Sequence, residues 1–290
     1  MTDQSLPAFR TAIINAFPEL ASSRFTIAGA GWHAVAVDVD GRLIFKFPRH
    51  DAAKEALQRE AALLAALGPR LHMRVPDLAI LPGPPLFSRH EKLQGGHLLA
   101  AGYEALPEDA RARLAQDLAR FYAELHAIEN DLMIRSGARP IAAWQSVKNI
   151  REKALPLLSS RLRARAEEVL RRFQLLPPDP HGLTYGFFDG HGWNMAFDFK
   201  RRKLNGIYDF ADSGIGPLHQ DFIYASLVSF DLSERIVRAY EALTGRMLDS
   251  PRIALLSGMH RLSELAELAA DKDNAAMALE HVRLWAEAEI

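Results

Sequence analysis

The sequence predicts an α+β protein of two lobes: a small β-rich N-terminal lobe with one main helix, then a larger, mainly helical lobe. Three observations carry this. Strand-like runs crowd the first 93 residues, an Asp-Gly pair separates two of them, and helical periodicity takes over beyond "QGG" at Gln94–Gly96. The expected division is residues 1–93 and residues 94–290.

The elements follow in order. Residues from about 5 to 17 read as a short amphipathic helix. "RFTIAGAG", "HAVAVDVD" and "RLIFKFP" read as strands, the last two flanking Asp40-Gly41, a strong short-range hairpin signal. Asp51 is the expected N-cap of a helix over "AAKEALQREAALLAAL", which Gly68 would stop. "DLAIL", a Pro-Gly-Pro-Pro turn and "LFSRHEKL" complete a five-strand sheet. Helical periodicity then runs from about 97 to 175, with Leu114, Leu118, Phe121 and Leu125 on one stripe, until "LLPPDPHG" breaks it. "LTYGF", "NMAFDF" and "KLNGIYDF" are short strands, and from about Pro217 the chain is helical again.

Composition narrows the class. A length of 290 residues can bury a substantial core, and 49% hydrophobic with 24% charged residues is ordinary for a soluble globular protein. A formal net charge of −1 gives no reason to expect a nucleic-acid or membrane-surface partner. The absence of cysteine excludes disulfides, thiolate metal sites and a cysteine nucleophile. No apolar run is long enough to span a membrane, and "MTDQSLPAFR" lacks the pattern of a secretory signal, so a cytoplasmic protein is expected. There is no internal repeat.

Several polar residues stand out against this background. Lys46 lies in a strand apolar on both faces, with Leu43, Phe45 and Phe47 on one side and Ile44 on its own. A lysine there is either solvent-facing or meets an anion, because an unpaired buried charge is costly. Glu60 falls on the stripe Leu57, Ala61, Leu64, Leu67 of the following helix, so its carboxylate wants a cation, and Lys46 is a candidate; a border position is the alternative. Farther on, "FFDGHGWN" (Phe187–Asn194) packs Asp189, His191 and Asn194 between phenylalanines and an apolar strand. Asp189 and Asn194 can be turn residues, and His191 a hydrogen-bonding scaffold residue. Asp209, closing "LNGIYDF", is either a turn cap or a metal ligand.

Taken in order, Lys46, Glu60, "FFDGHGWN" and "IYDFADSG" resemble the aminoglycoside phosphotransferase family, which has a protein-kinase-like fold. The resemblance runs from about Phe25 to Asp221, with looser helical correspondence beyond, and includes "LARFYAELHAI" with its Leu125-His126 ending. Its specific part is Asp189, Asn194 five residues later, then Asp209-Phe210 fifteen residues on. The resemblance implies a kinase that moves the γ-phosphate of ATP or GTP to a hydroxyl of a small molecule. Asp189 would be the base, and Asn194 and Asp209 would hold Mg²⁺ by hard oxygen donors. Lys46 would hold the α/β-phosphates and Glu60 would hold Lys46. Gly29 and Gly31 of "GAGWHA" form a partial phosphate-cradling loop, Glu91 and Leu93 resemble a hinge offering backbone groups to the base, and Asp221 of "HQDF" would brace the loop of Asp189, with His191 beside it. Gly190 and Gly192 are expected to let that loop turn sharply. One departure is plain: Phe187-Phe188 replaces the His-Gly that commonly precedes the family's aspartate.

Two other readings compete. "VAVDVDGR" resembles the start of haloacid-dehalogenase-like phosphatases, with Asp38 as nucleophile, but that requires a parallel strand where the pattern reads as a hairpin. A kinase-like nucleotide-binding protein without catalysis is the second. The acceptor is not legible: from residue 181 onward there are 16 acidic and 11 basic residues, mildly suited to a cation, yet several of those acids belong to the site motifs, and Glu264, Glu267, Asp271 and Asp273 suit a solvated face equally well.

Overall fold

A computed structural model describes residues 5–30, 34–271 and 274–288. In chain order the elements are α1 (Leu6–Ala16), β1 (Phe25–Ala30), β2 (Ala34–Val39), β3 (Leu43–Pro48), α2 (Asp51–Leu67), β4 (Ala79–Leu81), β5 (Phe87–Glu91), α3 (Ala100–Glu104), α4 (Glu108–His126), α5 (Asn130–Arg135), α6 (Val147–Lys153) and α7 (Ser160–Gln174). After them come β6 (Leu183–Gly186), β7 (Met195–Asp198), β8 (Lys203–Ile207), β9 (Gly214–Pro217), α8 (Phe230–Thr244), α9 (Ser250–Leu268) and α10 (Ala275–Ala288). They form two compact units: Met1–Gly96 with Ile128–Ala138 and Met195–Ala211, and His97–Ala127 with Arg139–Asn194 and Asp212–Ile290.

The first unit is built on an antiparallel sheet of order β1-β2-β3-β5-β4. The Asp-Gly hairpin forms where expected: Val39 pairs with Leu43, and Asp40 and Gly41 both take positive φ, 57° and 66°. The same pairing makes β2 antiparallel to its successor, so Asp38 does not end a parallel strand as the phosphatase reading requires. Alternation then sorts the side chains. Val35, Val37, Val39, Leu43, Phe45 and Phe47 form one face and bury themselves with Phe9 and Ile13 of α1; Phe9 and Phe47 stack with ring centroids 4.4 Å apart. Register places Ala36, Lys46 and Ser88 in one row of the opposite face and Asp38, Ile44 and His90 in the next.

Helix α2 begins one residue earlier than its sequence signal. His50, not Asp51, is the N-cap: its Nδ1 accepts from the Ala53 N–H at 3.2 Å, leaving Asp51 in the first turn, where its charge favours the helix dipole. At the other end Gly68 keeps right-handed φ/ψ and Pro69 follows in a short 3₁₀ turn, so the helix tightens instead of ending on a left-handed glycine. The buried stripe is Ala53, Leu57, Glu60, Leu63, Leu64 and Leu67, with Ala61 at its half-buried edge. Hairpin β7–β8 belongs to this unit and meets the segment after β5 through reciprocal Gly96–Phe197 backbone hydrogen bonds of 2.9 Å.

The second unit is helical, with a core of residues from α6, α7, α9 and α10 closed around Trp285. Its two-stranded sheet joins β6 to β9. Strand β9, "GIGP", escaped the sequence reading, because two glycines and a proline in four residues read as turn. Among the described residues, no helix is long and apolar enough to cross a membrane.

Candidate active site

In the first unit the predicted Lys46, Glu60 and Asp209 meet. Strand pairing fixes Lys46 on the sheet face opposite α1, and the helical stripe carries Glu60 to it. Lys46 Nζ lies 3.2 and 3.3 Å from the two Glu60 oxygens and 3.3 Å from Asp209 Oδ1. Glu60 is 3% exposed, and its Oε1 also accepts the Phe210 N–H at 3.0 Å, tying the buried Phe210 to the helix. Burial alone would push the Lys46 pKa down, but the carboxylates of Glu60 and Asp209 outweigh it and hold the ammonium above the ordinary lysine value. Lys46 is therefore a fixed cation. Asp209 is half exposed and holds φ at +68°, a conformation that L-residues other than Asn and Asp seldom adopt.

Gly29 lies in β1, where a Cβ would meet nothing within 4 Å, so packing does not demand glycine there. Gly31 lies outside the described residues. Glu91 ends β5, and Leu93 follows it, buried.

In the second unit, the loop after β6 brings Asp189, His191 and Asn194 together. Asn194 Nδ2 donates to the Asp189 side chain at 2.6 Å and to its carbonyl at 3.0 Å; His191 Nε2 lies 3.1 Å from Asp189 Oδ1. A carboxylate can only accept, so the nitrogen end of the amide faces it and Asn194 Oδ1 points elsewhere. Both oxygens of the Asp189 carboxylate are thus oriented.

The loop is held from beneath by Asp221, which is completely buried. One of its oxygens accepts the Phe188 N–H at 2.6 Å; the other accepts the Phe187 N–H at 3.0 Å and lies 3.0 Å from His126 Nε2. With Nε2–H donating to the carboxylate, His126 Nδ1 is left to accept from the Tyr240 hydroxyl 3.0 Å away. Phe187 and Phe188 bury their rings, Phe187 edge-on against Phe121 at 5.7 Å. Where the sequence departs from His-Gly, the loop is anchored by aromatic packing plus two N–H donors to Asp221.

The two loop glycines serve a purpose other than the expected one. Neither has positive φ; the left-handed residue is Phe188, at +53°. A Cβ on Gly190 would overlap the Tyr122 hydroxyl, and one on Gly192 would overlap the Leu98 carbonyl. Close approach, not turning, requires glycine, and Gly192–Asn194 is itself one 3₁₀ turn. Tyr122 was not singled out by the sequence, since it reads as one more apolar position of α4.

A further pair also escaped the sequence reading. Lys92 Nζ lies 2.6 Å from Asp38 Oδ2, between β5's exit and the β2 face. Only the sheet register brings these residues together. Among the described residues no group of three or more His, Asp or Glu side chains is disposed to hold a metal.

This fold, a five-stranded antiparallel sheet followed by a mostly helical unit, is that of the protein-kinase-like phosphotransferases. Three solved structures illustrate it. The GDP complex of wild-type aminoglycoside 2'-phosphotransferase-IIIa is 23% identical, with a TM-score of 0.86 over 99% of this chain and 100% of that one. The GDP and kanamycin complex of APH(2")-IIia is 22% identical, with a TM-score of 0.80 over 97% and 99%. Macrolide 2'-phosphotransferase type I is 18% identical, with a TM-score of 0.68 over 97% of each chain. No curated protein matches the chain in sequence. The chain belongs to the phosphotransferase enzyme family, whose model matches residues 24–265.

Proposed function

We propose that the protein transfers the γ-phosphoryl group of ATP or GTP to a hydroxyl of a small molecule. The observation that carries this is Lys46 held as a permanent cation by Glu60 and Asp209 on the sheet face opposite α1. A half-buried lysine with that support is suited to an α/β-phosphate, and the Glu60 bond to the Phe210 N–H links its placement to that of Asp209. Residues 1–93 are the nucleotide-binding part and residues 94–290 the catalytic and acceptor-binding part. Relatives of this fold are described with GDP and with ATP, which supports either nucleotide here.

Asp189 is the base that orients the acceptor hydroxyl and receives its proton, its carboxylate aimed by Asn194 and His191. Gly29, Glu91 and Leu93 line the nucleotide, Leu93 through its backbone N–H. Asp209, half exposed, and Asn194, whose Oδ1 faces away from Asp189, are hard oxygen donors of the kind Mg²⁺ prefers. Bound Mg²⁺ would neutralise charge developing on the transferring phosphate. Asp221 holds the loop that carries Asp189.

The acceptor is a hydroxyl compound; kanamycin and gentamicin appear in complexes of structurally similar proteins, and a macrolide phosphotransferase shares the fold. The test is a screen of hydroxylated metabolites and antibiotics for acceptor-dependent release of ADP or GDP. The expected result is turnover with one acceptor class that Asp189→Ala abolishes. Tight nucleotide binding with no transfer to any acceptor would favour a catalytically silent nucleotide-binding protein instead.

A further inference from the structure

We infer that Asp38 and Lys92 are positioning residues that clamp the Glu91–Leu93 segment to the β2–β3 hairpin, so that its free backbone groups are preset to recognise a purine base. This rests on the nucleotide reading given above.

Asp38 is an improbable residue for its place. It lies on the Lys46 side of the sheet, in the row of Ile44 and His90, and is 8% exposed. A carboxylate so buried needs partners, and both of its oxygens have one. Oδ1 accepts the Gly41 N–H at 2.7 Å, closing the hairpin turn; Oδ2 lies 2.6 Å from Lys92 Nζ. The clamp continues through the backbone. The Lys92 N–H donates to the Arg42 carbonyl at 2.8 Å, and Gln94 Nε2 donates to the Gly41 carbonyl at 2.8 Å. Asn205 Nδ2 holds the Gln94 carbonyl from the other side at 2.8 Å. Every one of these bonds lies within the first unit.

The consequence lies in what is left over. Lys92 spends its N–H on the hairpin, and its carbonyl receives Gln94 Nε2 at 3.4 Å. Among the described residues, nothing bonds the N–H or the carbonyl of Leu93. A planar base with adjacent donor and acceptor edges matches such a segment, provided the segment is already rigid. Rigidity at this point removes ordering entropy from binding. The pair acts on the base end of the nucleotide alone, because Lys46 meets the phosphates two residues beyond Ile44 on the same strand face.

Calorimetry with three probes, ADP, GDP and inorganic tripolyphosphate, each with Mg²⁺, tests this. Asp38→Asn should weaken binding of the nucleotide that the protein prefers by about tenfold while leaving tripolyphosphate within twofold. The reversed pair Asp38→Lys/Lys92→Asp should regain part of the loss. Hydrogen exchange adds a readout without ligand: the Lys92 amide should exchange at least about tenfold faster in Asp38→Asn, with the Lys46 region unchanged. Equal loss for nucleotide and tripolyphosphate, or nucleotide binding and Lys92 exchange both as in the wild type, would overturn the inference. Wild-type protein that binds neither ADP nor GDP would sink the nucleotide reading itself and this inference with it.

Discussion

Glu60 and Lys46 form a two-pronged ion pair, 3.2 and 3.3 Å across, between a helix and a strand of one sheet face. The glutamate has almost no solvent to fall back on. Removing one partner of such a pair strands the other charge, which typically costs about 3–5 kcal/mol, whereas replacing both is often nearly neutral.

That asymmetry gives the first prediction. Lys46→Met should lower unfolding stability by about 3–5 kcal/mol, and Lys46→Met/Glu60→Gln should recover most of it, since Gln retains an oxygen for the Phe210 N–H. Neither variant should regain nucleotide binding. Urea unfolding with calorimetry checks both, and a double variant no more stable than the single would refute the pairing argument.

The second concerns the loop of Asp189. Gly190→Ala should destabilise the protein by about 1–3 kcal/mol through overlap with the Tyr122 hydroxyl. Because the offending atom is one oxygen, Gly190→Ala/Tyr122→Phe should restore most of the stability. Thermal unfolding of the four proteins of this cycle measures the coupling. Strict additivity would show that another contact requires the glycine.

The third concerns the brace. Asp221→Asn keeps the size of the side chain but replaces one carboxylate oxygen by an amide NH₂, which then faces either the Phe188 N–H or the Phe187 N–H and the His126 ring. Stability should fall by about 3–5 kcal/mol, and residual activity should fall through kcat more than through nucleotide KM. A loss confined to KM would remove Asp221 from the support of Asp189.

The fourth is a pH dependence. Burial, helped by the nearby Lys46 charge, pushes the His90 pKa down to about 3 from 6.5. Between those values the unfolded chain binds a proton that the folded chain refuses, so stability must fall as pH drops from 6.5 toward 3. One such group contributes a slope of up to about 1.4 kcal/mol per pH unit. His260, with a pKa lowered to about 4, adds the same sign. His90→Phe should flatten the slope of unfolding free energy against pH by about one proton; an unchanged slope would mean that His90 is protonated in the fold.

The sequence by itself determined a good deal. Period-two alternation split by Asp-Gly identified the β2–β3 hairpin, and period 3.6 placed Glu60 on the inner stripe of α2, because both signals are local and a residue's face follows from its neighbours in the chain. Asp189 and Asn194, five residues apart, meet in one loop for the same reason. The tertiary structure alone decided the rest. It made His50 the cap of α2, found strand β9 where composition reads as turn, and assigned Gly190 and Gly192 to close approach instead of bending. It also joined Asp38 to Lys92, 54 positions apart. Spacing along the chain cannot express a distance set by strand register, nor a clash with a helix from elsewhere in the fold, so these relations appear only once the backbone has closed on itself.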